Sequence, residues 1–271
     1  MRRAAHLNPW LQLGALTLAT IAVILLVNAT GLIRPSGSGG EALQQVGRED
    51  LPDFRTFPTV EAKKTNFFGF LRPIVRAENR KLRREHERLK ALGDALADGG
   101  EVAPEQWAWV RRKAKAYRVD LTRHDRAEVA GILARRVDVI PASLVLAQAA
   151  KESAWGTSRF AREGNNLFGE WCFTQGCGLV PGKRQPGKSH EVETFDTVRA
   201  SVASYLHNLN SHPKYQELRT IRARLRRQGK AITGFALAQG LEHYSARGQE
   251  YVAEVRALIR HNDLGQGGHG S

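Results

Sequence analysis

Apolar and polar positions are arranged in several distinct ways along this chain. Residues 7–33 carry no charged side chain, and the run is apolar on every side of a helical wheel. Roughly 20 such residues cross a bilayer as a helix, so the pattern predicts a transmembrane anchor at 7–33. Residues 34–59 open with Pro35-Ser36-Gly37-Ser38-Gly39-Gly40 and include Pro52 and Pro58, which reads as a flexible linker. From 60 to 133 the period is helical, a helical extension ahead of the main domain. Phe67, Phe70, Leu71, Ile74 and Val75 form one apolar face, and Asp98-Gly99-Gly100 closes that helix. Trp107, Val110, Ala114 and Tyr117 lie on a further stripe, within two short helices between Pro104 and Leu133.

Residues 134–262 hold the candidate chemistry. Asp138-Val139-Ile140-Pro141 starts a helix, with Pro141 suited to its first turn. The body, Ala142 to Ala150, is small and apolar, so the helix should be buried, and Gly156 should end it. Glu152 then falls in the last turn of a buried helix. Partial burial disfavours its anion, and so does the negative end of the helix dipole. Both raise its pKa toward a value suited to donating a proton. The plainer reading is a glutamate that reaches solvent from a helix end. Further on, His190 to Phe195 alternate in polarity, which predicts a short strand with Glu191 and Glu193 on one face. The Gly-rich tail at 263–271 reads as disordered.

Charge sharpens this picture. The formal net charge is +14, which implies an acidic partner such as nucleic acid, an anionic membrane surface or a carboxylate-bearing wall polymer. Acidic residues interleave with basic ones from Asn79 to Arg88, which reads as a solvated helix face and argues against nucleic acid. The run Arg222, Arg224, Arg226, Arg227 and Lys230 likewise reads as an exposed face. Arg2 and Arg3 precede the apolar segment, which favours a cytoplasmic end at 1–6 and the remainder outside, in the periplasm beyond an inner membrane. A cleaved signal peptide is the competing reading. The two cysteines, Cys172 and Cys177, are too few for a four-cysteine zinc site, and Gly176 and Gly178 permit a tight loop. Outside the cytoplasm they are expected to form a disulfide. No metal and no cofactor is expected.

The stretch Ala147-Gln148-Ala149-Ala150-Lys151-Glu152-Ser153-Ala154-Trp155-Gly156, followed by Asn165-Asn166-Leu167-Phe168-Gly169, resembles the bacterial peptidoglycan glucosaminidase family of flagellar rod-associated and autolysin-type enzymes. The family pattern is close to A-Q-A-x-x-E-S-x-W-G and then N-N-L-F-G. The likeness continues through Pro181-Gly182-Lys183, Thr194-Phe195-Asp196 and Ser201 to Tyr215, and covers most of the chain after the linker. It implies a mainly α, lysozyme-like helical domain with a small β-lobe, and peptidoglycan glycan strands as the substrate. The glutamate of E-S-x-W-G is the family's general acid, a role that transfers to Glu152. Trp155 and Phe168 become cleft-wall or core residues. Asn165 and Asn166 bind sugar or shape a turn. Tyr244, in a string similar to the family's Tyr-Ala-Thr, inherits a place lining the cleft, although Ser245-Ala246-Arg247-Gly248 departs from the usual string.

Glycoside hydrolysis commonly uses two carboxyl groups. The second falls to Glu191, to Glu193, or to neither, with the substrate's acetamido group assisting. Glu170 reads as a solvated loop residue. The leading function is an endo-β-N-acetylglucosaminidase of the cell wall. A lytic transglycosylase needing one glutamate, and a non-catalytic membrane-tethered wall-binding protein, stand as alternatives.

Overall fold

The computed structural model describes residues 51–265, with 183, 185, 186 and 188 excepted. The anchor expected at 7–33, the end at 1–6, the linker up to residue 50 and the tail from 266 lie outside the described residues. Among the described residues no helix is long and apolar enough to cross a membrane.

The described residues are mainly helical with one small sheet, as the sequence predicts. Helix α1, Val60–Ala97, is 38 residues long, and Thr59 caps it by accepting from the Ala62 amide. At 1.5 Å per residue it runs about 57 Å. Its buried face, Phe67, Leu71, Ile74, Val75, Leu82, Leu89 and Leu92, follows the helical period. Pro104–Ala116 (α2) and Arg126–Arg136 (α3) follow, the latter opened by a reciprocal bond between Asp125 and Glu128. Helix α3 packs along α1. Helix α4, Ala142–Glu152, lies in the centre, with Ser143 to Ala150 all buried. It packs on α1, on the short α8 (Gly234–Leu237) and on α9 (Gln249–His261). Between them come α5 (Arg159–Gly164), the strands, α6 (Val198–Ser211) and α7 (Gln216–Arg227).

The sheet has strand order β1-β3-β2, with β1 at Trp171–Cys172, β2 at Gly178–Leu179 and β3 at Glu191–Glu193. Both pairings are antiparallel, Trp171 opposite Val192 and Gly178 opposite Glu193. Cys172 and Cys177 are joined as a disulfide across the β1–β2 connection.

Two expectations are corrected. The end of the predicted linker is packed: Phe54 is 1 % exposed, edge-on to Phe67 and Phe70 and stacked on Phe57. An aromatic ring this close to an apolar helix face gains more from burial than its chain loses in freedom. The basic run is also not uniformly exposed. Arg222 is 1 % exposed and donates to the carbonyls of Arg135, Asp138 and Val139 and to Asn210 Oδ1, while Arg226 pairs with Asp138. The carbonyls at the end of α3 lack helical partners, and a five-donor guanidinium satisfies several at once.

Candidate active site

Glu152 is the last residue of α4, which stops short of Gly156. Ser153 explains the stop. Its hydroxyl donates to the Ala149 carbonyl at 2.6 Å and accepts from the Gly156 amide at 2.7 Å. Ala154, Trp155 and Gly156 then take φ of 50°, 60° and 76°, three left-handed residues in succession. Left-handed backbone costs about 1–2 kcal/mol for a residue with a Cβ, so the surroundings must hold it. Trp155 does so by packing edge-on to Phe67 and Phe68 of α1, with ring centroids 6.0 and 5.1 Å away. At Gly156 a Cβ would stand 2.6 Å from the Phe54 ring, so only glycine fits.

The half-buried Glu152 carboxyl ends a chain of directed hydrogen bonds. Tyr205 O–H donates to Gln148 Oε1. Gln148 Nε2 donates to the Tyr251 hydroxyl at 3.0 Å, and Tyr251 donates to Glu152 Oε1 at 2.7 Å. Gln148 is fully buried on α4, one helical turn before Glu152, and Tyr251 comes from α9. Burial pushes the Glu152 pKa up. The Tyr251 bond and the cations of Lys151 and Arg247 pull it down, and the Glu254 carboxylate pushes it up again. Glu254 binds both cations, accepting two bonds from Arg247 at 2.6 and 2.5 Å and pairing with Lys151. Burial is the largest of these effects, and the net shift is upward.

The carboxyl opens on a cavity of about 300 Å³ lined by Lys151, Tyr244, Ser245, Arg247 and Tyr251. Tyr244 lines the same cavity as Glu152. Its ring stacks on Tyr251 at 5.2 Å, and its hydroxyl donates to the Phe168 carbonyl at 2.8 Å. The other residues named for substrate contact lie elsewhere in the fold. Phe168 is 2 % exposed and stacks on Tyr205 at 3.9 Å, so its ring belongs to the core. Trp155 borders a different groove, with Ala154 and Leu258. Asn165 sits at φ 52° as the cap of α5 and donates to the Phe195 carbonyl at 2.9 Å. Asn166 is buried. It donates to the carbonyls of Glu170 and Glu193 and accepts from the amides of Phe168 and Glu170. Both asparagines spend their hydrogen bonds on the backbone that joins the helices to the sheet.

Glu191 is held away from proton-transfer work. Its two oxygens accept from the amides of Gly176 and Gly178 at 3.1 and 2.9 Å, and these bonds lower its pKa. Such a carboxylate stays ionised and pins the disulfide loop. Cys172, Cys177 and Glu191 offer ligand atoms within 4.8 Å of one another, but the sulfurs are bonded together and the carboxylate is taken by amides. The trio is a structural knot rather than a ligand set.

Sequence reasoning missed three participants. Tyr251 is separated from Glu152 by 99 positions and carries no local sign of the contact. Gln148 was visible as an i−4 neighbour of Glu152, but its polar head needed the two tyrosines to make sense. Glu170 is not a solvated loop residue. Burial, aided by repulsion from Glu193, raises its pKa to about 7.

Comparison with known proteins agrees with the quoted motifs. The family described as glucosaminidase, mannosyl-glycoprotein endo-beta-N-acetylglucosaminidase, matches residues 127–264. Protein bax of Escherichia coli (strain K12) is 35% identical over 212 residues, which is 78% of this chain and 74% of that protein. No solved structure matches the chain.

Proposed function

The chain belongs to the glucosaminidase family, a bacterial member similar to protein bax, and on that premise we propose that it is an endo-β-N-acetylglucosaminidase that hydrolyses peptidoglycan strands with Glu152 as general acid. Membership supports glycosidase chemistry on a glycan. The observation that carries the finer reading is the Glu152 carboxyl, its pKa raised by burial at the edge of an open cavity while Tyr251 fixes its orientation.

In this reading the Glu152 proton passes to the glycosidic oxygen as its bond to the anomeric carbon breaks, and positive charge develops on the sugar ring. Water then completes the hydrolysis. Tyr251 accepts from Gln148 and donates to Glu152, so the carboxylate left behind keeps a donor that stabilises it. Tyr244 walls the cavity. Glu191, committed to two amides, anchors the loop rather than attacking the sugar. With Glu191 so used, Glu193 or the substrate's own acetamido group assists, and a lytic transglycosylase stays the second reading, since that chemistry needs one glutamate. The disulfide supports action outside the cytoplasm, and the apolar run at 7–33 supports a membrane anchor.

The test is digestion of purified cell wall by the wild type and by Glu152→Gln, with the fragments analysed by mass spectrometry. Loss of a general acid lowers the rate about 10²–10⁴-fold. Fragments ending in reducing N-acetylglucosamine support the hydrolase, and anhydro ends establish the transglycosylase instead. Undiminished digestion by Glu152→Gln removes the acid assignment.

A further inference from the structure

The end of α4 opposite Glu152 opens on a cavity of about 360 Å³. Val139 to Ser143, where α4 begins, line it, together with Phe235 of α8 and Ile259 of α9. Two helices set its distance from Glu152. On α4 the step from Ser143 to Glu152 is nine positions, and on α9 the step from Tyr251 to Ile259 is eight. At 1.5 Å per residue, each helix separates the cavity from Glu152 by about 13 Å.

One wall of this cavity is Arg72, Arg76, Arg80 and Arg83, a stripe at helical spacing along α1. No aspartate or glutamate lines it. The ion pairs of this part of α1, Lys81 and Arg199 with Glu78 and Lys113 with Glu85, lie off the lining. Among the described residues no ion pair involves Arg72, Arg80 or Arg83. Arg72 is half-buried, and burial, then the Arg76 charge, lowers its pKa. Like charges one turn apart repel, so an anion brought to the stripe relieves a cost the fold carries. Phe235, also in the lining, is exposed, and the guanidinium groups of Arg256 and Arg260 lie 4.9 and 5.4 Å from its ring centre. Ile140, Ile232, Ile259 and Leu264 make the rest of the lining apolar. Asn79 is committed to backbone: it donates to the Ile140 carbonyl at 2.8 Å and accepts from the Ile140 amide at 3.0 Å. Asp263, one residue before Leu264, is exposed and outside the lining.

Clustered arginines without carboxylates select an anion, and an exposed phenylalanine beside guanidinium groups suits the boundary between headgroups and acyl chains. Nucleic acid or wall polymer supplies the charge but no apolar phase for Phe235 and Ile232. Resting on the membrane anchor proposed above, which holds the chain at a bilayer, we propose that this arginine-lined groove docks on anionic phospholipid headgroups. The phosphates lie against Arg72, Arg80 and Arg83, and Phe235 meets the acyl boundary. Docked by this end of α4, the domain turns Glu152 away from the lipid by the length of that helix, toward the wall glycan. A tether alone sets no direction for the site, and the groove supplies it.

The full chain is reconstituted in nanodiscs of phosphatidylcholine, alone or with about one third phosphatidylglycerol. Insertion of an anchor is common to both discs, so a difference between them reads the groove. Hydrogen exchange at residues 231–237 is expected to be about tenfold slower on the anionic disc, while the sheet exchanges alike on both. Each arginine at an anionic surface is worth about fivefold, so Arg80→Gln with Arg83→Gln is expected to narrow the gap to within about twofold. Both positions are exposed, so the double variant folds, and thermal melting checks it. Equal exchange of the wild type on the two discs overturns the docking, as does a double variant that keeps the tenfold gap. Poly-glutamate added to the neutral disc tests the other class of partner. Slowing by poly-glutamate, with none on the anionic disc, overturns the proposal in favour of an acidic polypeptide. The anchor is read apart, by flotation of the full chain with phosphatidylcholine vesicles. If the chain does not float, the anchor falls, and the groove is read by flotation with vesicles containing phosphatidylglycerol. There the wild type is expected to bind about 25-fold more tightly than the double variant, and equal binding overturns the docking.

Discussion

The helical body and the small sheet are held together by opposite means. Around α4 the residues Leu144 to Ala147 are wholly buried, and apolar packing, backed by the buried Arg222, fixes the backbone that presents Glu152. The sheet has strands of two or three residues and one buried apolar side chain of its own, Val192. A disulfide, the bonds from Glu191 to the amides of Gly176 and Gly178, and Asn166 reaching across to Glu193 replace the missing core. The contrast teaches a division of labour. The Glu152 carboxyl is set where the fold is most over-determined. The large side chains Trp171 and Phe173 lie exposed at this thin sheet, with Trp171 stacked on His190.

The sharpest way to break the contrast is at Arg222. Arg222→Met strands several buried carbonyls and removes one of the two arginines paired with the buried Asp138, leaving it Arg226, and is expected to cost about 3–5 kcal/mol, the scale of breaking a buried charged network from one side. Urea denaturation measures it, and a loss under about 1 kcal/mol, the level of a surface pair, would show that the body does not depend on this residue. The lobe should respond less. Replacing Cys172 and Cys177 together by serine opens a small ring, worth at most about 2 kcal/mol by chain entropy. Hydrogen exchange should then quicken at β1 and β2 while α4 amides keep their protection; equal quickening in both would merge the two regions into one cooperative unit. The finest test is Tyr251→Phe. The tyrosine donates to the Glu152 carboxylate and so stabilises the ionised form. Without it the Glu152 pKa rises further. A general acid works while protonated, so activity falls as pH rises through its pKa. The descending limb of the kcat/KM profile should therefore move to higher pH in Tyr251→Phe. A limb that stays in place or moves down would detach that limb from Glu152.

Much of this architecture is legible in the chain. The apolar period from Phe67 to Val75 marks α1, the small residues before Glu152 mark a buried α4, and the alternation around Val192 marks β3. What escapes reading follows from long-range pairing. Arg222 looks like surface because composition equates charge with solvent, and only the carbonyl ends of α3 reveal its use. Phe54 sits among prolines and polar residues that spell a linker, yet it finds an apolar partner on α1. Asn165 and Asn166 resemble sugar contacts until their backbone acceptors, some 30 residues away, are seen. Glu152 stands out by motif and helix end, whereas its donor Tyr251 required the three-dimensional meeting of α4 and α9.

Phe54 also sets a practical limit on shortening the protein. Trimming to the start of α1 looks harmless, because it deletes only what the sequence presents as a tether. It would also withdraw the ring on which Gly156 rests, and the left-handed turn behind Glu152 would lose its backstop. A trimmed enzyme could therefore lose turnover with every ionisable group of the site still present, and the fault would lie in mechanical support rather than in chemistry.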